Sequence, residues 1–109
     1  MAGTLAGGSS AKTFGYDLNS LTWRQDLPQR PKTGDHHGMV AINDKIYVVA
    51  GFKQAAHALQ IFDPAANLWS LGPDMPGPSA GSVNAVNIGG LLYACGGLGG
   101  GMNPTNCYK

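Results

Sequence analysis

The sequence has few charged residues and no dominant charge of one sign. Only 12% of its 109 residues are Asp, Glu, Lys or Arg, and the formal net charge is +1. Proteins that bind nucleic acid or anionic membrane surfaces usually carry basic patches that supply much of their affinity. This balance therefore gives no support to a nucleic-acid partner.

Long apolar runs are also missing. No segment approaches the roughly 20 consecutive apolar residues that cross a bilayer, so we expect no membrane span. The first ten residues have neither a basic start nor an apolar core, and no secretory signal is visible. Cysteine is scarce as well: Cys95 and Cys107 form no Cys-x-x-Cys motif, which argues against a zinc site.

Glycine, by contrast, is abundant: 17 of the 109 residues are glycine, against an average usage of about 7%. Many glycines lie between short apolar runs, which is typical of tight turns in an all-β protein. An apolar run that ends at Ile42 is followed by the turn Asn43-Asp44 and by a second run from Ile46 to Ala50. This spacing predicts a hairpin with a two-residue turn. No segment shows a helical period of 3.6 residues, so the chain is predicted to be all-β.

The chain repeats itself with a shift of 46 residues. Aromatic, Asp and Gly positions coincide at this one offset, and a period of 40–50 residues is typical of propellers and other repeat arrays. The coincident residues are Trp23 with Trp69, Tyr47 with Tyr93, Asp17 with Asp63, Gly51 with Gly97, and Tyr16 with Phe62 and then with Tyr108.

These residues resemble the kelch repeat. The family pattern is present as Ile46-Tyr47-Val48-Val49-Ala50-Gly51, then Ile61-Phe62-Asp63-Pro64, Trp69 and Met75-Pro76; the next copy gives Tyr93, Gly96, Gly97 and Tyr108. Ala50 replaces the first glycine of one pair, and the arginine that usually precedes the first strand is missing in both crossovers. The resemblance implies kelch-type β-propeller blades, each a four-stranded antiparallel sheet, in which the motif residues are structural.

The repeat divides the chain, residues 1–109, into parts of a propeller. We expect a partial blade at 1–25, with strands around 3–5, 13–16 and 21–23, a complete blade at 36–71 and a partial blade at 82–109. Closed propellers have about 4–8 blades. Either the chain is a segment of a longer propeller, or copies of it complete one another's blades in a ring or filament.

The two cysteines fall on Val49 and Ile61 of the preceding unit, which places them on adjacent strands of one blade. Cys95 and Cys107 are therefore a candidate disulfide, with two reduced core thiols as the alternative. The disulfide favours an extracellular location, and the thiols favour a cytoplasmic one. The Cys-Gly-Gly and Asn-Cys-Tyr-Lys elements also resemble kelch modules of secreted multidomain proteins, which accompany carbohydrate-binding domains.

No catalytic constellation is visible in the sequence. His36 and His37 are strand neighbours that point to opposite faces, so they do not share a metal. No serine stands in a Gly-x-Ser-x-Gly elbow, and the run Gly96–Gly101 lacks the Lys of a phosphate-binding loop. Some kelch propellers are copper radical oxidases, but Tyr108 and Cys107 are neighbours whose side chains diverge. We expect no enzyme activity, cofactor or metal; a non-catalytic part of a secreted oxidase-like enzyme is one alternative.

Binding through the loops is the remaining chemistry, because loops on a rigid scaffold carry recognition. The candidate segments are the crossover before the complete blade and the loops between the second and third strands. We expect a protein or carbohydrate partner, with blade-to-blade self-assembly as the alternative. The candidate contact residues are Arg30, Lys32, Phe52, Lys53, His57 and Met102.

Overall fold

A computed structural model describes residues 4–5, 8–76, 81–98 and 107–108 of the chain. Within these residues the protein consists of strands and one short 3₁₀ helix, Lys53–Ala55. The strands are β1 (Thr4–Leu5), β2 (Gly8–Ser9), β3 (Gly15–Asp17), β4 (Thr22–Arg24), β5 (Gly38–Ile42), β6 (Lys45–Val49), β7 (Leu59–Asp63), β8 (Leu68–Leu71), β9 (Gly81–Ile88), β10 (Leu91–Leu98) and β11 (Cys107–Tyr108).

The centre of the fold is a four-stranded antiparallel sheet with the order β5-β6-β7-β8. The predicted hairpin joins β5 to β6, and Asn43 and Asp44 in its turn have φ values of 50° and 62°. Two-residue hairpins of this kind need positive φ at both turn positions, which Asn and Asp tolerate better than most residues. The all-β prediction and the four-stranded blade are confirmed.

The 46-residue repeat is also present in the strand register. Tyr16 lies opposite Trp23 in the pair β3-β4, as Phe62 lies opposite Trp69 in β7-β8. Val40 lies opposite Tyr47 in β5-β6, and the equivalent strands β9 and β10 pair Val86 with Tyr93. The sequence repeat therefore corresponds to a repeat of structure.

The start of the chain differs from expectation. Thr4–Leu5 pairs with Gly8–Ser9 in a two-stranded sheet of its own, and β3 pairs with β4 in another. The prediction that residues 3–5 are the second strand of a blade containing β3 is thus wrong for the described residues. Only two residues separate β1 from β2, so their pairing closes the shortest possible loop at little entropic cost.

The last strand is shifted by two residues from the 46-residue register. Cys107 lies opposite Cys95, and Tyr108 lies opposite Ala94. In the central sheet the corresponding partners of Val49 and Val48 are Leu59 and Gln60. The connection 96–106 is two residues longer than 50–58, so Tyr108 takes the place of Gln60. Its predicted equivalence to Phe62 is wrong.

The buried core lies between the central sheet and the sheet β9-β10-β11. Its members are apolar residues from both sheets and from the crossover between them: Val49, Ala50, Met75, Val83 and Ala94, with Leu59, Ala85 and Leu92 packed against them. The strands β5 and β9 approach closely at Gly38, where an added Cβ would lie 2.6 Å from the carbonyl oxygen of Val83. This glycine permits the close stacking of the two sheets.

The strand directions give the molecule two distinct ends. The residue pairs Gly38–Val49 and Val49–Leu59 stand at one end of the central sheet, which we call the loop end; it carries residues 10–14, 25–37, 50–58 and 72–76. The other end, the turn end, carries the tight turns 18–21, 43–44, 64–67 and 89–90. Within the described residues, no helical segment has the length and hydrophobicity that crossing a membrane requires.

Candidate binding surface

Three segments are fastened together at the loop end. The backbone N–H of Phe52 donates to the carbonyl of Asp35 (2.9 Å), and that of Ala55 donates to Thr33 (3.1 Å). Gly34, between these two acceptors, also forms an antiparallel bridge with Ser10. An added Cβ on Gly34 would lie 2.7 Å from the Cβ of Ala55. The crossover 25–37 and the loop 50–58 therefore present one defined surface with residues 10–13 beside it.

Arg30 is buried beneath this surface. Only 3% of the residue is exposed. Its Nη2 donates to the carbonyl oxygen of Ser10 at 2.8 Å and to that of Gly34, and its backbone N–H donates to Ala11 at 2.9 Å. The expectation that Arg30 offers an exposed guanidinium to a partner is wrong, because the crossover folds over the side chain and its Nη2 donates to two backbone carbonyls.

His37 lies against Arg30, with 3.3 Å between His37 Nδ1 and Arg30 Nη1. Since a guanidinium has donors only, His37 Nδ1 is the acceptor and carries no proton. Burial lowers the pKa of His37, and the charge of Arg30 lowers it further. Burial also lowers the pKa of Arg30, while the charge of Asp35 opposes this. His37 is consequently neutral and structural.

His36 has a different environment, although it is the next residue. Its side chain is exposed, and its Nδ1 lies 2.7 Å from Oδ1 of Asp35. The His36 ring also packs against the Phe52 ring, with 5.5 Å between centroids. Asp35 thus forms a local hydrogen bond with His36, and the two histidine rings face different partners.

The remaining candidate contact residues lie at the loop end with the exception of Met102, which is outside the described residues. Lys53 is exposed, with a φ of 67°, and Lys32 is half-buried. Phe52 is half-buried over Gly81, whose added Cβ would lie 2.7 Å from the ring. The carbonyl of His57 accepts a hydrogen bond from the N–H of Met75 (2.8 Å). The fold brings these four residues to one end, and their binding roles stay predictions.

Gln60 is a structural contributor that the sequence analysis missed. It is fully buried, and its Oε1 accepts a hydrogen bond from the backbone N–H of Lys32 (2.9 Å). This bond fastens the crossover to the third strand of the central sheet. The sequence signal for this role was one amide side chain in the otherwise apolar run Leu59–Phe62. A polar side chain in a buried strand normally has a hydrogen-bond partner.

The aromatic pairs of the repeat differ in their burial. Phe62 is 4% exposed, and Trp69, 5.1 Å from it, donates its indole N–H to the carbonyl of Pro28 (2.9 Å). The equivalent residues Tyr16 and Trp23 also pack at 5.1 Å, but they are 44% and 62% exposed. The crossover before the central sheet contacts the first pair through Pro28, whereas the second pair is largely exposed.

Within residues 8–76 and 81–98, no three His, Cys, Asp or Glu side chains group in a way that could hold a metal ion. Two clefts of about 380 Å³ and 310 Å³ lie between neighbouring sheets, and the first is mainly apolar. These clefts belong to the packing of one blade on the next.

Comparison with known proteins gives a consistent result. The family model described as Kelch motif matches residues 34–76. Beta-scruin of Limulus polyphemus is 33% identical over 99 residues, which is 84% of this chain and 11% of that protein. Human Kelch repeat and BTB domain-containing protein 12 is 28% identical over 103 residues, 82% of this chain and 16% of that protein. Kelch-like protein terF of Aspergillus terreus is 29% identical over 91 residues, 76% of this chain and 20% of that protein. The chain thus spans between 11% and 20% of the length of these relatives.

Proposed function

Because this chain is built from kelch repeats that fold as β-propeller blades, we propose that it is a non-catalytic binding scaffold that engages a partner protein through its loop end. The observation that carries the proposal is the fastening of the crossover 25–37 to the loop 50–58, which holds Phe52 and Lys53 beside His36. A surface that is ordered before binding loses less conformational entropy when the partner arrives.

Site-specific photo-cross-linking tests this function. A photoreactive residue is placed at Lys53 on the loop end, and a matched one at Leu91 on the turn end; both positions are exposed. In an extract of the source organism, we expect a discrete cross-linked protein from position 53 that is absent from position 91. Equal labelling at both positions, or none at position 53, would contradict the proposal. A glycan released from the cross-linked species would favour the carbohydrate alternative.

A second candidate function is assembly with further copies of the same chain. The observation that favours it is the exposed pair Tyr16 and Trp23, because at the equivalent repeat positions Phe62 is buried and Trp69 is half-buried against Pro28. An exposed aromatic face of this kind is a natural site for another blade. A second copy would supply that blade in a head-to-tail contact, which gives a ring or a filament.

Sedimentation velocity over a hundredfold concentration range tests the assembly. We expect the wild-type chain to associate and Trp23→Ser to abolish the association. Ile88→Ser is the matched control, because Ile88 is equally exposed (62%) but lies at the turn end of another sheet. A wild-type chain that stays monomeric throughout, or equal effects of the two variants, would rule out this candidate.

We further propose that Cys95 and Cys107 form a disulfide and that the protein is extracellular. Support comes from the direct cross-strand pairing of the two residues and from Cys95 not being a free thiol. Cross-strand neighbours in an antiparallel sheet are close enough for a bridge, and disulfides persist mainly outside the cytosol. Peptide mapping without reduction tests the bridge: a linked pair is expected, and two alkylated thiols would contradict it and favour a cytoplasmic location.

A further inference from the structure

The two ends of the molecule differ in charge, although the chain as a whole is nearly neutral. Among the described residues, the turn end has three carboxylates and one cation: Asp17, Asp44, Asp63 and Lys45. The loop end has five cations and three carboxylates: Lys12, Arg24, Arg30, Lys32 and Lys53 with Asp26, Asp35 and Asp74. The segments 77–80 and 99–106 contain no charged residue, and the one further charged side chain, Lys109, lies outside the described residues.

Several of these charged groups already have ion-pair or hydrogen-bond partners within the chain. Arg24 and Asp26 form an ion pair at 3.2 Å, and Arg30 is buried against backbone carbonyls. Asp35 is largely buried and paired with His36. At the turn end, Asp17 and Asp63 accept backbone N–H bonds within their own turns. Three lysines, Lys12, Lys32 and Lys53, remain at the loop end, with Asp74 as the exposed carboxylate of the next crossover.

The three lysines belong to segments that meet at one point. Ser10, two residues from Lys12, bridges to Gly34, two residues from Lys32. Gly34 in turn lies against Ala55, two residues from Lys53, at the closest approach of crossover and loop. Lys12 and Lys53 are exposed and Lys32 is half-buried. The fold therefore brings segments that carry three lysines, far apart in the sequence, to the same end of the molecule.

We propose that this lysine triad is a docking surface for an acidic segment of a partner protein. The inference rests on the proposed binding function and specifies the partner. A partner segment that carries several carboxylates gains electrostatic attraction to three lysines at one end of the molecule. The half-buried Phe52 ring beside Lys53 adds an apolar contact next to the charges. The opposite, acidic end repels such a segment, so the charge asymmetry also selects which end is used.

Fluorescence anisotropy with a defined probe tests the proposal. The probe is fluorescein-labelled octaglutamate, titrated with the full 109-residue chain at about 50 mM salt. We expect saturable binding that weakens as salt rises, because screening reduces attraction between exposed charges. Lys32→Glu and Lys53→Glu should each weaken binding by about 3- to 10-fold, in line with the loss of an exposed ion pair and the gain of a repulsion.

Lys45→Glu is the matched control, because it changes the net charge by the same amount at the turn end. It should alter probe affinity by less than about twofold, and circular dichroism should show that all three variants remain folded. Equal weakening by Lys45→Glu, or no binding by the wild-type chain, would overturn the proposal. An oligothymidylate of eight nucleotides that bound more tightly, with the same lysine dependence, would overturn it in favour of nucleic acid.

The cross-linking and octaglutamate experiments together distinguish a failure of this proposal from a failure of the proposed binding function. If position 53 cross-links to a partner protein while octaglutamate does not bind, the loop end is a binding surface and the acidic-partner inference is wrong. If neither occurs, the binding function itself fails.

Discussion

At the scale of single residues, the side chains beneath the loop end are specialised for holding it in place. Arg30 donates to carbonyl groups of two segments, and its neighbour His37 accepts from it. A buried guanidinium is costly unless its hydrogen bonds are satisfied. A second positive charge beside Arg30 would destabilise this arrangement. Protonation of His37 would add such a charge.

We predict that the protein loses stability as the pH falls below about 6.5 and that His37 contributes to this loss. The pKa of His37 is lowered in the folded chain, while the unfolded chain has the ordinary value of about 6.5. The unfolded state therefore binds more protons in this window, and the stabilisation present above pH 6.5 is lost as the pH falls toward the folded pKa. Urea unfolding at pH 7.5 and at pH 5.5 measures this loss of stability.

In His37→Gln, the difference between the urea midpoints at the two pH values should shrink. A pH dependence that is unchanged in His37→Gln would show that other groups cause it.

The two tryptophans allow a second residue-scale prediction, because they occupy equivalent repeat positions in different surroundings. Trp69→Ala should lower the free energy of unfolding by about 2–3 kcal/mol, since it removes a packed ring and its hydrogen bond to Pro28. Trp23→Ala should cost less than about 1 kcal/mol in the monomer, because its ring is 62% exposed. Urea denaturation of both variants at low protein concentration provides the comparison, and equal losses would contradict it.

At the scale of elements, the loop lengths decide which residues face each other. The connection 96–106 is two residues longer than 50–58, and this difference moves β11 by two positions along β10. A shift of two keeps every side chain on its original face, whereas a shift of one would reverse them. The register thereby places Cys107 opposite Cys95. By the 46-residue offset alone, Cys107 would lie opposite Tyr93, because Ile61 lies opposite Tyr47 in the central sheet.

At the scale of the whole molecule, the stacking of one sheet on the next depends on how closely the backbones approach. Strands β5 and β9 approach each other at Gly38, and the buried core lies between the two sheets that contain them. Protein interiors are packed so tightly that one added methyl group is felt when the neighbouring atom belongs to a fixed backbone. The stacking of the sheets is thus most vulnerable at this glycine.

We predict that Gly38→Ala destabilises the fold by about 1–3 kcal/mol, because the new Cβ would lie 2.6 Å from the Val83 carbonyl oxygen. Met39→Ala, on the exposed face of the same strand, should change stability by less than about 0.5 kcal/mol. Thermal and urea unfolding of both variants measure the effect. A Gly38→Ala protein as stable as Met39→Ala would mean that the sheets can separate slightly without loss.

The sequence by itself determined the strands of the central sheet, the tight turns and the repeat. Alternation of apolar residues and the placement of Asn, Asp and Gly are local signals, and the paired registers of Tyr16 with Trp23 and of Phe62 with Trp69 follow from them. They were predictable because each depends on residues close together in the chain.

Only the tertiary structure decided which of these residues are covered and which are presented. Phe62 is buried and Tyr16 exposed at equivalent positions, Arg30 lies inside the chain, and Lys12, Lys32 and Lys53 share one end. Burial and the gathering of charge depend on which neighbouring sheet or crossover lies over a face, and this is set by contacts between segments 20 or more residues apart. The periodic pattern of residues within one segment does not predict those contacts.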